Sequence, residues 1–146
     1  MAAEYSYVPS QIVAEDANVT FMDGDRACRK GFIDHRNGSG VFTLKGANNA
    51  CRTIYRVTFD ANIAVAPAAD GGVLGPVSIA LTENGEELGN ATAIVTPAAI
   101  GDFFSLSITT FIVIFGGCCK SVAVRNVSDG TAIEVTNANI IIDRVA

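Results

Sequence analysis

The side chains able to do chemistry are few in this chain of 146 residues: one histidine, four cysteines and scattered carboxylates. His35 has no second histidine with which to share a metal ion, and any nucleophilic triad would depend on that one ring. It lies in Asp34-His35-Arg36-Asn37-Gly38-Ser39-Gly40, where Asp34 and Ser39 have the residue types of a triad. Strand neighbours point to opposite faces, so Asp34 is badly placed to orient His35. The expectation is a loop-edge histidine bonded to backbone or to a subunit neighbour. Glu86-Glu87 and Asp23-Gly24-Asp25 sit beside glycine turns, where carboxylates are usually solvated, and the second lacks the bidentate Glu of a calcium loop. No Gly-Lys-Ser/Thr follows the glycine-rich pieces, so a phosphate loop is excluded. No catalytic residue, cofactor or metal is therefore expected, and the chain reads as a non-enzyme.

The cysteines are Cys28, Cys51 and the adjacent Cys118 and Cys119. Neither Cys28 nor Cys51 has a partner at the two-to-four-residue spacing of zinc ligands, and adjacent cysteines bond to each other only with strain. They read as reduced, half-buried small residues, with a Cys28–Cys51 bridge as the alternative in an oxidising environment. Sequons at Asn18, Asn37, Asn90 and Asn126 read as chance products of a chain rich in Asn, Ser and Thr. The N-terminus shows neither the cationic segment nor the apolar core of a signal peptide, so synthesis in a cytoplasm is expected.

Composition narrows the function classes. Ten Lys and Arg against fifteen Asp and Glu leave a net charge of -5, without the positive field that nucleic-acid binding draws on. The hydrophobic fraction is 49% and the charged fraction 17%, the reverse of a disordered chain. One domain with a sizeable core is expected at this length. The longest apolar run, Phe103 to Phe115, is broken by Ser105, Ser107, Thr109 and Thr110 and falls short of the ~20 residues of a membrane helix, so no membrane partner is expected.

The elements that must position these groups are strands. β-branched and aromatic residues cluster in short runs divided by Gly, Asn, Asp and Pro, with no apolar helical spacing. Strands are expected near Val19–Met22, Gly31–His35, Val41–Lys45, Thr53–Val65, Val77–Glu83, Glu87–Val95, Phe103–Phe115, Ser121–Asn126 and Ala132–Ile142. Asn84-Gly85 is the centre of a tight hairpin, Pro67 to Pro76 is an irregular loop, and Thr96 to Gly101 crosses between sheets. Tyr55, Val57, Phe59, Ala61, Ile63 and Val65 alternate with polar residues, so one face meets the core. Phe103–Phe115 becomes apolar on both faces towards its end, and Ile140-Ile141-Ile142 is apolar on both sides. One sandwich hides one face only, so burial between subunits is expected for the other.

The series Gly38 to Leu44, Tyr55 to Val65, Gly75 to Leu81 with its hairpin, Ala93-Ile94-Val95-Thr96-Pro97-Ala98-Ala99 and Asn137-Ala138-Asn139-Ile140-Ile141-Ile142 resembles the small jelly-roll proteins encoded in phages and prophages of gut Firmicutes. More distantly it is similar to the tumour-necrosis-factor and complement globular-head superfamily, though residues 1–25 contain no Gly-X-Y repeat. The resemblance implies an all-β, two-sheet jelly-roll sandwich forming a homotrimer: a structural virion protein, as capsid decoration or head fibre, made in the bacterial host cytoplasm and carried on the virion surface. Its partners would be itself and the major capsid protein or another virion protein. Phe111, Val113, Phe115, Cys118, Cys119, Ile140 and Ile142 are the expected trimer interface. Residues 1–25 are the expected docking arm, presenting Tyr5, Tyr7, Val8, Pro9 and Ile12, and residues 26–146 the jelly-roll domain. The alternative is a receptor- or glycan-binding module using the loops at Asn37 to Gly40, Asn48 to Ala50 and Pro67 to Gly75, which lack an aromatic platform for a sugar.

Overall fold

The computed structural model describes residues 2–27, 31–47, 51–116 and 119–146. Ten strands follow in chain order: β1 (Ala2–Tyr7), β2 (Gln11–Val13), β3 (Ile33–His35), β4 (Val41–Lys45), β5 (Arg52–Val65), β6 (Val77–Glu83), β7 (Glu86–Val95), β8 (Phe104–Phe115), β9 (Cys119–Asn126) and β10 (Ile133–Arg144). One sheet runs β1-β10-β5-β8 with β2 also on β10; the other runs β3-β4-β9-β6-β7. Every pairing is antiparallel. The two sheets make a jelly-roll sandwich, as the strand pattern and the resemblance imply.

The alternation of β5 is realised: Tyr55, Val57, Phe59, Ala61, Ile63 and Val65 are all buried. From the facing sheet Phe42, Leu44, Ile79, Leu81, Val122 and Val124 close the core. The Asn84-Gly85 hairpin is also as expected. Thr82 pairs with Glu87 and Glu83 with Glu86, leaving a two-residue loop whose φ angles are 51° and 85°. Both are positive, as the tight hairpin with right-handed strand twist requires.

The start of the chain corrects the expected boundary between an arm at 1–25 and a body at 26–146. β1 pairs with β10 from Ala2–Asp143 to Tyr7–Ala138, and β2 continues along the same edge. The reason is an alternation in Ala3-Glu4-Tyr5-Ser6 that buries Ala3 and Tyr5. Tyr5 meets Phe42 at 4.8 Å, Phe42 meets Phe21 at 5.5 Å and Phe21 meets Phe59 at 6.1 Å, so residues from the first 25 complete an aromatic cluster between the sheets. Each such pair adds roughly 0.5–1.5 kcal/mol beyond area burial.

The expected strand at Val19–Met22 is a crossing segment instead. Val19 N–H donates to Val124 of the second sheet, Phe21 N–H to Ser39 in the β3–β4 turn and Met22 N–H to Ser6 of the first sheet. The backbone bonds are made, but to three different partners, so no ladder forms. This crossing runs close to Gly40, where an added Cβ would stand 2.5 Å from the Val19 carbonyl oxygen.

Candidate functional site

The histidine constellation assembles differently from its sequence order. Asp34 points away and pairs with Lys45 at 2.8 Å, a contact that raises the Lys45 ammonium above its ordinary range through the Asp34 hydrogen bond. His35 Nδ1 instead faces Asp23 Oδ1 at 2.6 Å, and Nε2 lies 2.7 Å from the Ser39 carbonyl oxygen. That oxygen can only accept, so Nε2 donates to it. The ring stacks on Phe42 at 4.4 Å and its side chain is 1% exposed. An Asp–His pair is present, yet the nitrogen that would take a nucleophile's proton is committed to backbone. Ser39 Oγ accepts from Val41 N–H. The pair is a clasp between the 22–25 loop and the β3–β4 turn. Asp23 is the partner that sequence reasoning missed, because a separation of twelve positions along the chain hides the juxtaposition.

The sequon at Asn126 is likewise consumed by structure. Its two Nδ2 protons are shared among the carbonyls of Val13, Ala14 and Thr131, and its Oδ1 accepts from Ser128 N–H. Fully buried, it ties the segment after β2 to the β9–β10 connection.

The remaining candidate is the outer face of the first sheet. Register places residues across it in rows: Ala2, Asp143, Arg56 and Phe111; then Glu4, Ile141, Thr58 and Thr109; then Ser6, Asn139, Asp60 and Ser107. Below the first row lie Ile54 opposite Val113 and Arg52 opposite Phe115. Phe111 is 60% exposed and Phe115 69%, with Val113, Ile54 and Ile141 half-buried beside them. One end of the face is thus apolar, with the Arg56–Asp143 ion pair at 2.7 Å set within it. The other end is hydroxyl and amide: Asp60, Asn62, Ser105, Ser107 and Asn137 border a shallow 280 Å³ depression. Asn137 sits at a register shift in β10 with φ 57° and returns its N–H to the Val8 carbonyl. The Asn-Ala-Asn segment is therefore a bulge.

Of the expected interface residues, Phe111, Val113 and Phe115 share this face. Ile140 and Ile142 do not: both are fully buried, opposite Phe59 and Val57 in the chain's own core. Strand parity turns Ile141 outward instead. Ile54 and Ile141 are the residues missed, although the alternation of β5 already put Ile54 on the outer side. Cys119 is exposed at the start of β9, opposite Lys45 in the second sheet, so it stands off this face. Cys51 is exposed as well. Cys118, Cys28 with its suggested bridge, and the Asn48 to Ala50 loop lie outside the described residues.

Of the expected docking residues, Tyr5 is 1% exposed and is excluded from any partner contact. Tyr7 is half-buried, whereas Val8, Pro9 and Ile12 are exposed around the β1–β2 turn. Beside β1 the Arg26 guanidinium, at 2.7 Å, and the Asn139 amide hold the Glu4 carboxyl below its ordinary range. Among the described residues no group of three or more His, Cys, Asp or Glu side chains converges as a metal site, and no helix is long and apolar enough to cross a membrane.

No family model matches the chain, and neither does any curated protein. Solved structures do match, and they define the fold as the tumour-necrosis-factor-like jelly roll. Eiger TNF from S. frugiperda superposes with a TM-score of 0.65 at 14% identity, over 100% of this chain and 92% of that one. Murine APRIL gives 0.60 at 12%, over 99% and 100%, and the globular domain of zebrafish complement 1qA gives 0.58 at 14%, over 99% and 94%. At such identities the likeness is one of fold.

Proposed function

We propose that the chain is a non-enzymatic structural protein of a phage virion, a capsid decoration or head-fibre protein, that assembles as a homotrimer through the outer face of the β1-β10-β5-β8 sheet. The observation that carries the assembly is the apolar end of that face, where Phe111 and Phe115 stand mostly in solvent beside Ile54, Val113 and Ile141. A contiguous apolar patch rimmed by charge marks a surface meant for another protein. The occupation of His35 by Asp23 and Ser39 supports a non-catalytic role. The virion assignment draws on the sequence resemblance, and the exposed Val8, Pro9 and Ile12 are the docking contacts it would use.

Sedimentation equilibrium at micromolar concentration tests the assembly: a three-subunit mass is expected, and a stable monomer overturns it. Mass spectrometry and antibody labelling of purified particles test the location, with the protein expected on the capsid surface. Its absence from particles overturns the virion role. A protein partner fits the alternative receptor-binding reading better than a sugar does, because the 67–76 loop exposes Val73 and Leu74 and no aromatic ring.

A further inference from the structure

The outer face of the first sheet carries a knob and a hole on opposite lateral edges. The knob is Phe111 on β8, an edge strand, 60% exposed and next to the equally prominent Phe115. The hole is a groove of about 560 Å³ at the β1 edge, with Ala2, Ala3, Ala27 and Ile141 in its lining and Glu4 and Arg26 among its polar residues. It forms because the 24–27 segment runs beside β1, with Glu4 N–H donating to the Arg26 carbonyl, and because Ala2, Ala3 and Ala27 leave room between the charged Glu4, Asp25 and Arg26. An open groove of this size has room for one aromatic ring.

Register puts the two at the same height. Phe111 lies opposite Arg56, Arg56 opposite Asp143, and Asp143 opposite Ala2. Three strand spacings of about 4.8 Å separate them across the face. Within one chain the ring cannot reach the groove, since β5 and β10 lie between. A second copy, rotated so that its β8 edge meets the β1 edge of the first, brings knob and hole together at one level. Because the two patches differ, the contact is head to tail, and repeating it closes a ring when the rotation suits.

We infer that Phe111 of one copy seats in the Ala2–Ala27 groove of the next, with the Arg26–Glu4 ion pair as its polar rim. This rests on the trimer reading and specifies which edges meet. Buried aromatic anchors at the centre of an interface carry much of its affinity, so Phe111→Ala weakens assembly by at least about tenfold in the dissociation constant. Ala2→Phe fills the groove and weakens it comparably.

The test is sedimentation equilibrium of wild type, Phe111→Ala, Ala2→Phe and the double variant, with circular dichroism confirming that each remains folded. The expected result is two weakened singles and a double variant recovered towards wild type, since the displaced ring is supplied from the other side. Phe111→Cys with Ala27→Cys, with the four native cysteines replaced by serine and at a protein concentration where sedimentation shows this variant assembled, is oxidised and mapped by peptide mass spectrometry, and an intermolecular 111–27 linkage is expected. A trimeric wild type with unaffected single variants and no such linkage overturns this contact and leaves the trimer standing. A monomeric wild type overturns both.

Discussion

Replacing Asn126 by Ala removes one amide that holds three stretches of chain together. Its Nδ2 reaches the carbonyls of Val13, Ala14 and Thr131 at 3.1, 3.2 and 3.0 Å, and its Oδ1 accepts from Ser128 N–H at 3.0 Å. The side chain is fully buried, so water cannot take over these bonds. At about 1 kcal/mol net for each bond, with the orphaned groups left dry, the loss is about 3–4 kcal/mol. At roughly 3 °C per kcal/mol for a domain of this size, Tm falls by about 10 °C. Urea unfolding should show the same loss with an unchanged m-value, because the native surface area barely changes. Asn126→Asp sharpens the test. It keeps the acceptor for Ser128 but aims a carboxylate oxygen at three carbonyl oxygens, so at pH 7 it should be less stable than Asn126→Ala. A loss under about 1 kcal/mol in the alanine variant, or an Asp variant as stable as wild type, refutes the reasoning.

Other substitutions probe separate parts of the structure. His35→Gln loses the stack on Phe42 and the clasp between Asp23 and the Ser39 carbonyl; a destabilisation of about 2 kcal/mol is expected by thermal melting, with no change in oligomeric mass. Gly72→Ala places a methyl against the backbone of Ala66 and should cost at least about 2 kcal/mol, whereas Gly75→Ala meets nothing and should be near neutral in the same melt. Glu4, its carboxyl held below the usual range by Arg26, contributes stability above the unfolded carboxylate range that is lost as pH falls through its folded value. The Glu4→Gln variant should therefore show a flatter acid limb in a Tm–pH series, by under about 1 kcal/mol since the pair lies at the surface.

Much of the fold was legible because period-two alternation survives wherever one face of a strand is buried and the other is not. β5 shows it in Tyr55 to Val65, and Asn84-Gly85 marks its hairpin because few residue pairs tolerate two positive φ angles. β1 carried the same signal in Ala3-Glu4-Tyr5-Ser6, but six residues at a chain end also read as an extended arm. Whether such a segment pairs depends on an open edge elsewhere in the molecule, here that of β10. The outward aromatics of β8 were legible for the complementary reason: a strand apolar on both faces has more to hide than one core can accept.

Sequence by itself determined the all-β class, the hairpin turns, the inward set of β5 and the excess of apolar surface near Phe111 and Phe115, since each depends on neighbours a few residues apart. Tertiary structure alone decided which isoleucines of β10 face outward, because parity there is set by pairing with β5 and reset by the bulge at Asn137. It alone joined Asp23 to His35 and Asn126 to Val13, contacts between groups distant along the chain. It also set Phe111 level with the groove at Ala2, which requires the register of four strands at once.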